Sequence, residues 1–376
     1  MSLPSLHIII PELFRPLVLW HKDFGFTPQA SHLSALLAHY TLLQSTTKPG
    51  FDAALMASLG IVDDELPIAT YRIQTHTPID SSTQSMPLND VDQSLKKVKS
   101  RGGVFINTSK AGFITLLCAD PVHLEVGIND ISMTDRITDL NIEQARDLVS
   151  VLNAHFKQDG IRFMVGDAQH WYVSLPQEET VTTTPLGEVL RKNIVHCLPH
   201  STERNWQTLL NEAQMLLHTH PINQQREQHG QPTINSLWFW GGGKPTPPQT
   251  TINHILSSSP EKAQLLAIAA ACDWQTMHQS FDMESYLAGM SGHHVLILDQ
   301  LLHPAIMDNP DEFQAALTVL DKRFFAPIKQ AFSQGKVELI LDGADGRRLV
   351  LQKPKWWHFG TKKTESLMRT ASRFAT

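Results

Sequence analysis

Three consecutive glycines, Gly241 to Gly243, follow an apolar and aromatic run, Ser236 to Trp240, and precede Lys244. The run is typical of a β-strand and the glycines of a tight turn. A glycine-rich turn after a strand can present backbone N–H groups to an anion, and a lysine beside it adds positive charge. The same pattern also fits a strand whose tryptophans are core residues. The segment therefore predicts either an anion contact or a purely structural turn.

A second set of polar residues could form a pocket for a phosphate or a carboxylate. Arginine suits such groups because its guanidinium presents two parallel N–H donors to them. The alternative is a hydrogen-bond network that braces the junction of a subdomain. Asp120, in a predicted turn that enters a strand, could hold Arg136 or a ligand, or serve only structure. The candidate ligand-binding residues are Asp120, Asp135, Arg136, His220, Asn223, Arg226, Asn235 and Lys244.

The nineteen histidines do not form a recognisable metal motif. His218 and His220 are two positions apart, and His293 and His294 are adjacent. Neither pair has the i, i+4 spacing that places two imidazoles on one helix face. We interpret these histidines as scattered structural or surface residues.

The elements that must position these residues alternate between short strands and long helices. Strands are predicted at His7 to Ile10, Phe113 to Cys118, Arg162 to Val165, Ser236 to Trp240, Val295 to Leu298 and Val337 to Leu341. Helices are predicted at residues 30–43, 52–59, 142–156, 206–218 and 311–332, and an exposed loop at 75–90. Such alternation favours a mostly parallel sheet covered on both faces, which is an α/β fold. Residues 65–235 lack it and are predicted to be an inserted α+β subdomain between core segments 1–64 and 236–376.

Composition limits the classes of function. The 376 residues are 41% hydrophobic and carry a formal charge of −6, so a large core is expected and general binding of nucleic acid is not. Three separated cysteines suit a reducing compartment. We expect no signal peptide, no membrane span and, by elimination, a cytoplasmic location.

Three ordered segments resemble the archaeal-type cofactor-independent phosphoglycerate mutases of the alkaline phosphatase superfamily. They are His220-Pro221-Ile222-Asn223 with Arg226 and the stretch from Asn235 to Lys244, then Asp135-Arg136, and then Pro49-Gly50-Phe51-Asp52. The chain is also similar to a bacterial group labelled RpfE-type regulatory proteins, in the wording of Ala119 to Leu124 and Trp238 to Gly243. The resemblance implies a doubly wound, alkaline-phosphatase-like sheet.

One departure from the mutases concerns the nucleophile. Their third segment reads Pro-Gly-Ser-Asp, and its serine takes up the phosphoryl group, whereas this chain has Phe51. A benzyl side chain has no lone pair with which to attack phosphorus. Loss of a nucleophile costs on the order of a million-fold in rate in a hydrolase. The resemblance therefore predicts no catalytic residue at this position.

A second departure concerns the two-metal site. The family's first strand ends in Asp-Gly, where this chain has Ile10-Pro11-Glu12, and its late Asp-His pair is here Asp342-Gly343. Hard dications need carboxylates and imidazoles that converge from several strand ends. We expect no metal cofactor; the weak candidates, for Mn or Zn, are Glu12, Asp299, His303 and Asp342.

These observations predict a catalytically degenerate mutase-like protein that binds a small phosphorylated or carboxylated ligand, or a protein partner, in a regulatory role. The alternative is a metal-dependent phosphomutase or phosphatase with a relocated site, in which Ser58, Thr46 or Thr47 replaces the serine. A third interpretation is an interaction protein that uses the tail around Trp356-Trp357.

Overall fold

The computed structural model describes residues 3–43, 49–61, 67–75, 96–100, 103–107, 115–127, 130–353 and 366–374. The chain divides into two compact units. The first unit consists of Met1–Asp64 and Pro247–Thr376, and the second unit of Glu65–Thr246. The second unit is therefore inserted into the first along the sequence.

Strands and helices are numbered in chain order. The strands are β1 (Ser5–Ile9), β2 (Tyr40–Leu43), β3 (Lys96–Ser100), β4 (Gly103–Asn107), β5 (Leu116–Val126), β6 (Ile131–Arg136), β7 (Arg162–Val165), β8 (Trp171–Ser174), β9 (Ser236–Trp240), β10 (His254–Ser257), β11 (Asp273–Thr276), β12 (His293–Ile297), β13 (Glu338–Asp342) and β14 (Arg348–Leu351). The helices are α1 (Arg15–Phe24), α2 (Ser31–Leu36), α3 (Phe51–Ser58), α4 (Ile68–Thr75), α5 (Ile142–Phe156), α6 (Leu186–Val189), α7 (Trp206–His218), α8 (Pro221–Gln228), α9 (Pro260–Ala270), α10 (Met283–Gly289), α11 (Leu302–Ile306), α12 (Pro310–Leu320), α13 (Ala326–Ser333) and α14 (Ser366–Phe374).

The first unit is built on a mixed sheet in the order β11-β10-β12-β1-β13-β14-β2. The five strands from β11 to β13 pair in parallel, and β14 and β2 add antiparallel pairs at one edge. Parallel strands must be joined by crossovers, and the helices between them serve this purpose. The α/β class predicted from the alternating pattern is confirmed.

Side chains alternate across the central strands, so both faces of this sheet are apolar. Leu6 and Ile8 of β1, with Leu296 of β12, join one core cluster with residues of α1, α2, α10, α12, α13 and α14. Ile9 and Val295 are also fully buried but are not members of that cluster. Helix α3 packs on β1, and α9 packs on β10 and β11. Burial of each such side chain stabilises the fold by about 1.5–3 kcal/mol.

The second unit is an antiparallel sheet with helices. The long strand β5 pairs with β6, β8 and β9, and β7 pairs with β8. Helices α5 and α7 bury Leu148, Leu152, Leu209 and Ala213 in its core. Strands β3 and β4 form a separate hairpin. Because β9 pairs with β5, residues 236–246 lie in this unit and not in the core segment 236–376 that the sequence analysis assigned.

Several element boundaries differ from the prediction. The helix expected at 30–43 ends at Leu36, and Tyr40–Leu43 is instead an edge strand that pairs with β14. The helix expected at 311–332 is interrupted by a π-helical segment at Asp321–Phe325. Asp120 and Pro121 lie inside β5, not in a turn, and a register irregularity follows between Val122 and Leu124. The loop expected at 75–90 lies outside the described residues, apart from Thr75 at the end of α4.

Candidate functional site

The predicted nucleophile position lies at the start of α3. Gly50 has φ +146°, a conformation that favours glycine, and its N–H donates to the Ala344 carbonyl at 2.8 Å. Phe51 is the first helical residue. The Lys262 ammonium of α9 lies 5.4 Å from the centre of its ring. The place where the resemblance implies a serine therefore holds an aromatic ring beside a lysine.

The carboxylate that follows Phe51 is paired with the same lysine. Lys262 Nζ donates to Asp52 Oδ1 at 3.0 Å, and the Asp52 side chain is 7% exposed. An ammonium ion at this distance neutralises the carboxylate in a region from which water is largely excluded. Asp52 is thus satisfied by the chain itself.

Asp342, at the end of β13, is also paired with a cation. Arg348 Nε donates to Asp342 Oδ2 at 3.3 Å, and the Ala344 N–H donates to Oδ1 at 2.8 Å. His7 Nε2 of β1 lies 3.8 Å from Oδ2, and burial lowers the pKa of His7. Among the described residues, His7 Nε2 and Arg348 Nη2 are buried without a hydrogen-bond partner.

The other weak metal candidates contact separate partners. Glu12 has φ +63°, and its carboxylate accepts two hydrogen bonds from Arg15, at 2.8 and 2.7 Å. Asp299 accepts a hydrogen bond from Ser258 Oγ at 2.6 Å. His303 is exposed, with Nδ1 3.7 Å from Glu312. In the described ranges, no three histidine, cysteine or acidic side chains converge as a metal would require.

In the second unit, most predicted ligand-binding side chains contact the protein backbone. Asn223 is buried, donates from Nδ2 to the carbonyls of Leu217 and Ile234, and accepts the Ile234 N–H. Asn235 forms a two-way pair with the backbone of Leu124 at 2.8 Å. These bonds join α7, β5 and the segment that leads into β9. They favour the bracing interpretation over the ligand pocket.

The remaining candidates around α8 behave similarly. His220 caps α8 by accepting the Ile222 N–H at 3.3 Å, and burial lowers its pKa. Arg226 donates from Nε to the Pro232 carbonyl at 2.7 Å and from Nη2 to Asp139 at 2.6 Å. Lys244 is exposed and forms an ion pair with Glu178. The side chains of Asp135 and Arg136, in β6, lie outside the described part of the structure.

Asp120 has a partner that the sequence analysis did not identify, Arg72 of α4. The guanidinium donates from Nη1 to Oδ2 at 3.0 Å and from Nη2 to Oδ1 at 2.5 Å. The carboxylate also accepts Trp240 Nε1 at 2.8 Å and the Trp171 N–H at 3.2 Å. Arg72 and Asp120 are each 2% exposed. An arginine among the apolar residues of 68–75 was the available signal, because a buried guanidinium needs a carboxylate partner.

The comparisons with known proteins point to one group. The chain matches no protein-family model. It is 28% identical over 107 residues to the 2,3-bisphosphoglycerate-independent phosphoglycerate mutase of Methanosarcina barkeri (28% of this chain, 27% of the relative). It is 25% identical over 146 residues to a probable enzyme of the same name from Geobacter sulfurreducens (38% of this chain, 35% of the relative). The matched part is thus about a third of either relative or less, and the predicted distant similarity to these mutases is confirmed.

Two solved structures are also similar to the chain. The PH0037 protein of Pyrococcus horikoshii has a TM-score of 0.49 at 14% identity, over 97% of this chain and 92% of that one. The cofactor-independent phosphoglycerate mutase of Thermoplasma acidophilum has a TM-score of 0.44 at 12% identity, with both chains covered completely. In the described part of this chain, no helix combines the length and the apolar composition needed to cross a bilayer.

Proposed function

We propose that this protein is a catalytically degenerate relative of the cofactor-independent phosphoglycerate mutases with a binding or regulatory role. The observation that carries the proposal is the environment of Phe51. A ring that cannot attack phosphorus stands at the nucleophile position, and Lys262 lies beside it and pairs with Asp52. The proposal includes the binding of a small phosphorylated or carboxylated ligand, or of a protein partner. It also includes a cytoplasmic location.

The distribution of positive charge supports the loss of metal chemistry. Dications in phosphoryl-transfer sites neutralise carboxylates and the transferred group together. In this chain, Lys262 neutralises Asp52 and Arg348 neutralises Asp342. A metal that entered either place would have to displace a tethered cation from its carboxylate.

An activity assay tests this proposal. We expect the purified 376-residue chain, with Mn²⁺, Zn²⁺ or Co²⁺ added, to give no enzyme-catalysed interconversion of 3- and 2-phosphoglycerate. An active mutase assayed in parallel shows that the conditions support the reaction. Turnover on the order of 1 s⁻¹ or faster, abolished by a chelator, would overturn the proposal.

One observation favours the alternative of a relocated phosphoryl-transfer site. Ser258 follows β10 and donates its hydroxyl hydrogen to Asp299, which follows β12, at 2.6 Å. A hydroxyl beside a carboxylate has the geometry of a nucleophile and its general base. The serine proposed from sequence, Ser58, is buried and donates to the Leu55 carbonyl at 2.6 Å, while Thr46 and Thr47 lie outside the described residues.

Hydrolysis of p-nitrophenyl phosphate by the wild type and by Ser258→Ala decides between the two functions. The relocated site requires metal-dependent hydrolysis that Ser258→Ala removes. The degenerate protein gives the same background rate for both proteins, with and without metal.

A further inference from the structure

Two histidines and a tyrosine form a hydrogen-bond chain in the first unit. His254 of β10 lies opposite His294 of the adjacent strand β12. Tyr286 of α10 lies against both, with its hydroxyl oxygen 3.0 Å from His254 Nδ1 and 2.5 Å from His294 Nδ1. His294 Nε2 lies 2.7 Å from the Ser291 carbonyl oxygen. These hydrogen bonds therefore join α10 to β10 and β12.

The partners determine where each proton resides. A carbonyl oxygen can only accept, so Nε2 of His294 must carry a hydrogen. Nδ1 of a neutral His294 is then an acceptor and receives the Tyr286 hydroxyl hydrogen. The tyrosine oxygen has one remaining role, which is to accept from Nδ1–H of His254. At neutral pH the chain thus runs in one direction, from His254 through Tyr286 to His294.

The two histidines respond differently to an added proton. His254 already donates from Nδ1, so protonation at Nε2 breaks no bond in the chain. Protonation of His294 at Nδ1 removes the acceptor that the described residues offer to the tyrosine hydroxyl hydrogen. Because His254 donates from Nδ1 in both of its protonation states, the tyrosine oxygen then faces two N–H donors. We propose that this hydrogen-bond chain attaches α10 to the sheet in an acid-sensitive way. Protonation of His294 releases the helix.

Neighbouring groups shift the pKa values of both histidines. His294 is 7% exposed, and burial lowers its pKa; burial and the nearby His294 also lower the pKa of His254. Asp273 of β11 lies opposite His254 and acts in the other sense, because its negative charge favours the imidazolium. A charge on His294 also lowers the pKa of His293, the residue before it in β12. Both histidines are therefore expected to be neutral at pH 7.5, the state in which the hydrogen-bond chain runs in one direction.

Nuclear magnetic resonance of the full-length, ¹⁵N-histidine-labelled protein tests the proposal. At pH 7.5 we expect His254 as the Nδ1–H tautomer, the less common form in solution, and His294 as the Nε2–H tautomer. In Tyr286→Phe, His254 should return to Nε2–H, and the titration midpoint of His294 should move to higher pH, since its neutral form no longer accepts a hydrogen bond. Tyr71→Phe removes a phenol hydroxyl in the second unit and should change neither signal.

Hydrogen exchange measures directly how firmly α10 is attached to the sheet. Amide protection of residues 283–289 should fall as His294 titrates, and in Tyr286→Phe it should already be reduced at pH 7.5. A wild-type His254 in the Nε2–H form would overturn the proposal. An unchanged His294 midpoint in Tyr286→Phe would do the same, because burial alone would then account for its titration.

Discussion

At the scale of single residues, two basic side chains set the electrostatics beside the carboxyl ends of the parallel strands. Lys262 reaches Asp52, and Arg348 reaches Asp342, and both carboxylates are nearly inaccessible to water. A carboxylate in such a place is costly unless a cation compensates for its lost hydration. The two pairs therefore belong to the folding energetics of the chain as well as to its chemistry.

The first prediction concerns the lysine. Lys262→Met keeps the length and apolar stem of the side chain but leaves Asp52 unpaired. We expect a loss of about 3 kcal/mol in the free energy of unfolding, measured by urea denaturation. Lys22→Met, on the exposed surface of α1, should change it by less than about 0.5 kcal/mol. Equal stability of the two variants would show that the pair contributes nothing.

The second prediction concerns the aromatic ring. Phe51→Ser restores a hydroxyl at the nucleophile position, but Arg348 still pairs with the metal candidate Asp342, and Lys262 still pairs with Asp52. We expect this variant to show no phosphoglycerate mutase activity in the assay with added Mn²⁺. Activity in Phe51→Ser alone would mean that the remaining residues still assemble a functional site, against the proposal.

At the scale of elements, α4 and β5 are joined by Arg72 and Asp120. The guanidinium also lies over the rings of Tyr172 and Trp240, at 5.2 and 5.5 Å from their centres. A bidentate pair between a helix and a strand defines their relative position more closely than apolar contacts do, because its geometry is directional.

The third prediction follows from this pair. Arg72→Met should destabilise the protein by about 3–5 kcal/mol, since Asp120 remains buried with its charge uncompensated. The double variant Arg72→Met, Asp120→Leu should recover part of this loss in thermal or urea unfolding. Arg162→Met, on the partly exposed strand β7, serves as the control and should have little effect. A double variant less stable than the single one would contradict the argument.

Elements with strong local signals were predictable from the sequence. Helix α5 spans the predicted residues because Asn141 forms a capping box with Gln144 and the apolar positions repeat at helical spacing. Asn205 caps α7 by accepting the backbone N–H of Thr208. Strand β2 was missed because its residues are mostly exposed and their partner, β14, lies some 300 residues away in sequence. Pairing at that separation overrides local helix preference.

The site was predictable only in part. The aromatic residue at position 51 could be recognised from the surrounding Pro-Gly-x-Asp motif. The lysine beside it could not, because Lys262 lies 210 residues from its partner Asp52 in the sequence and nothing around Lys262 marks it. For Asn223 and Asn235 the sequence left a ligand pocket and a bracing network open, because residue type does not distinguish a ligand contact from a bond to the backbone.

At the scale of the whole molecule, we expect the two units to differ in how their stability responds to acid. Four histidines of the first unit have a lowered pKa, and the pKa of one of them, His293, falls to about 4; the other three are His7, His254 and His294. A histidine whose pKa in the folded protein lies below its ordinary value of 6.5 contributes its full stabilisation above pH 6.5. That stability is lost as the pH falls toward the folded pKa, because the unfolded chain then binds more protons. Asp345 opposes this effect, since burial raises its pKa to about 6.

The fourth prediction is that the first unit loses protection before the second as the pH falls from 7 to 4. Four histidines outweigh one carboxyl group, so we expect the net effect of acid on the first unit to be destabilising. Hydrogen exchange followed by mass spectrometry, with peptides from Met1–Asp64 and Pro247–Thr376 compared with those from Glu65–Thr246, measures the order. Simultaneous loss in both units would show that they unfold as one cooperative body.

The pairs formed by Lys262 and Arg348 have a consequence for life in a cell whose supply of manganese or zinc varies. A bound dication leaves when its free concentration drops, and its carboxylate ligands then repel one another. The charged groups of Lys262 and Arg348 are covalent parts of the polypeptide, so they cannot dissociate from it when metal concentrations fall. At Asp52 and Asp342 the compensating positive charge therefore does not depend on the supply of trace elements.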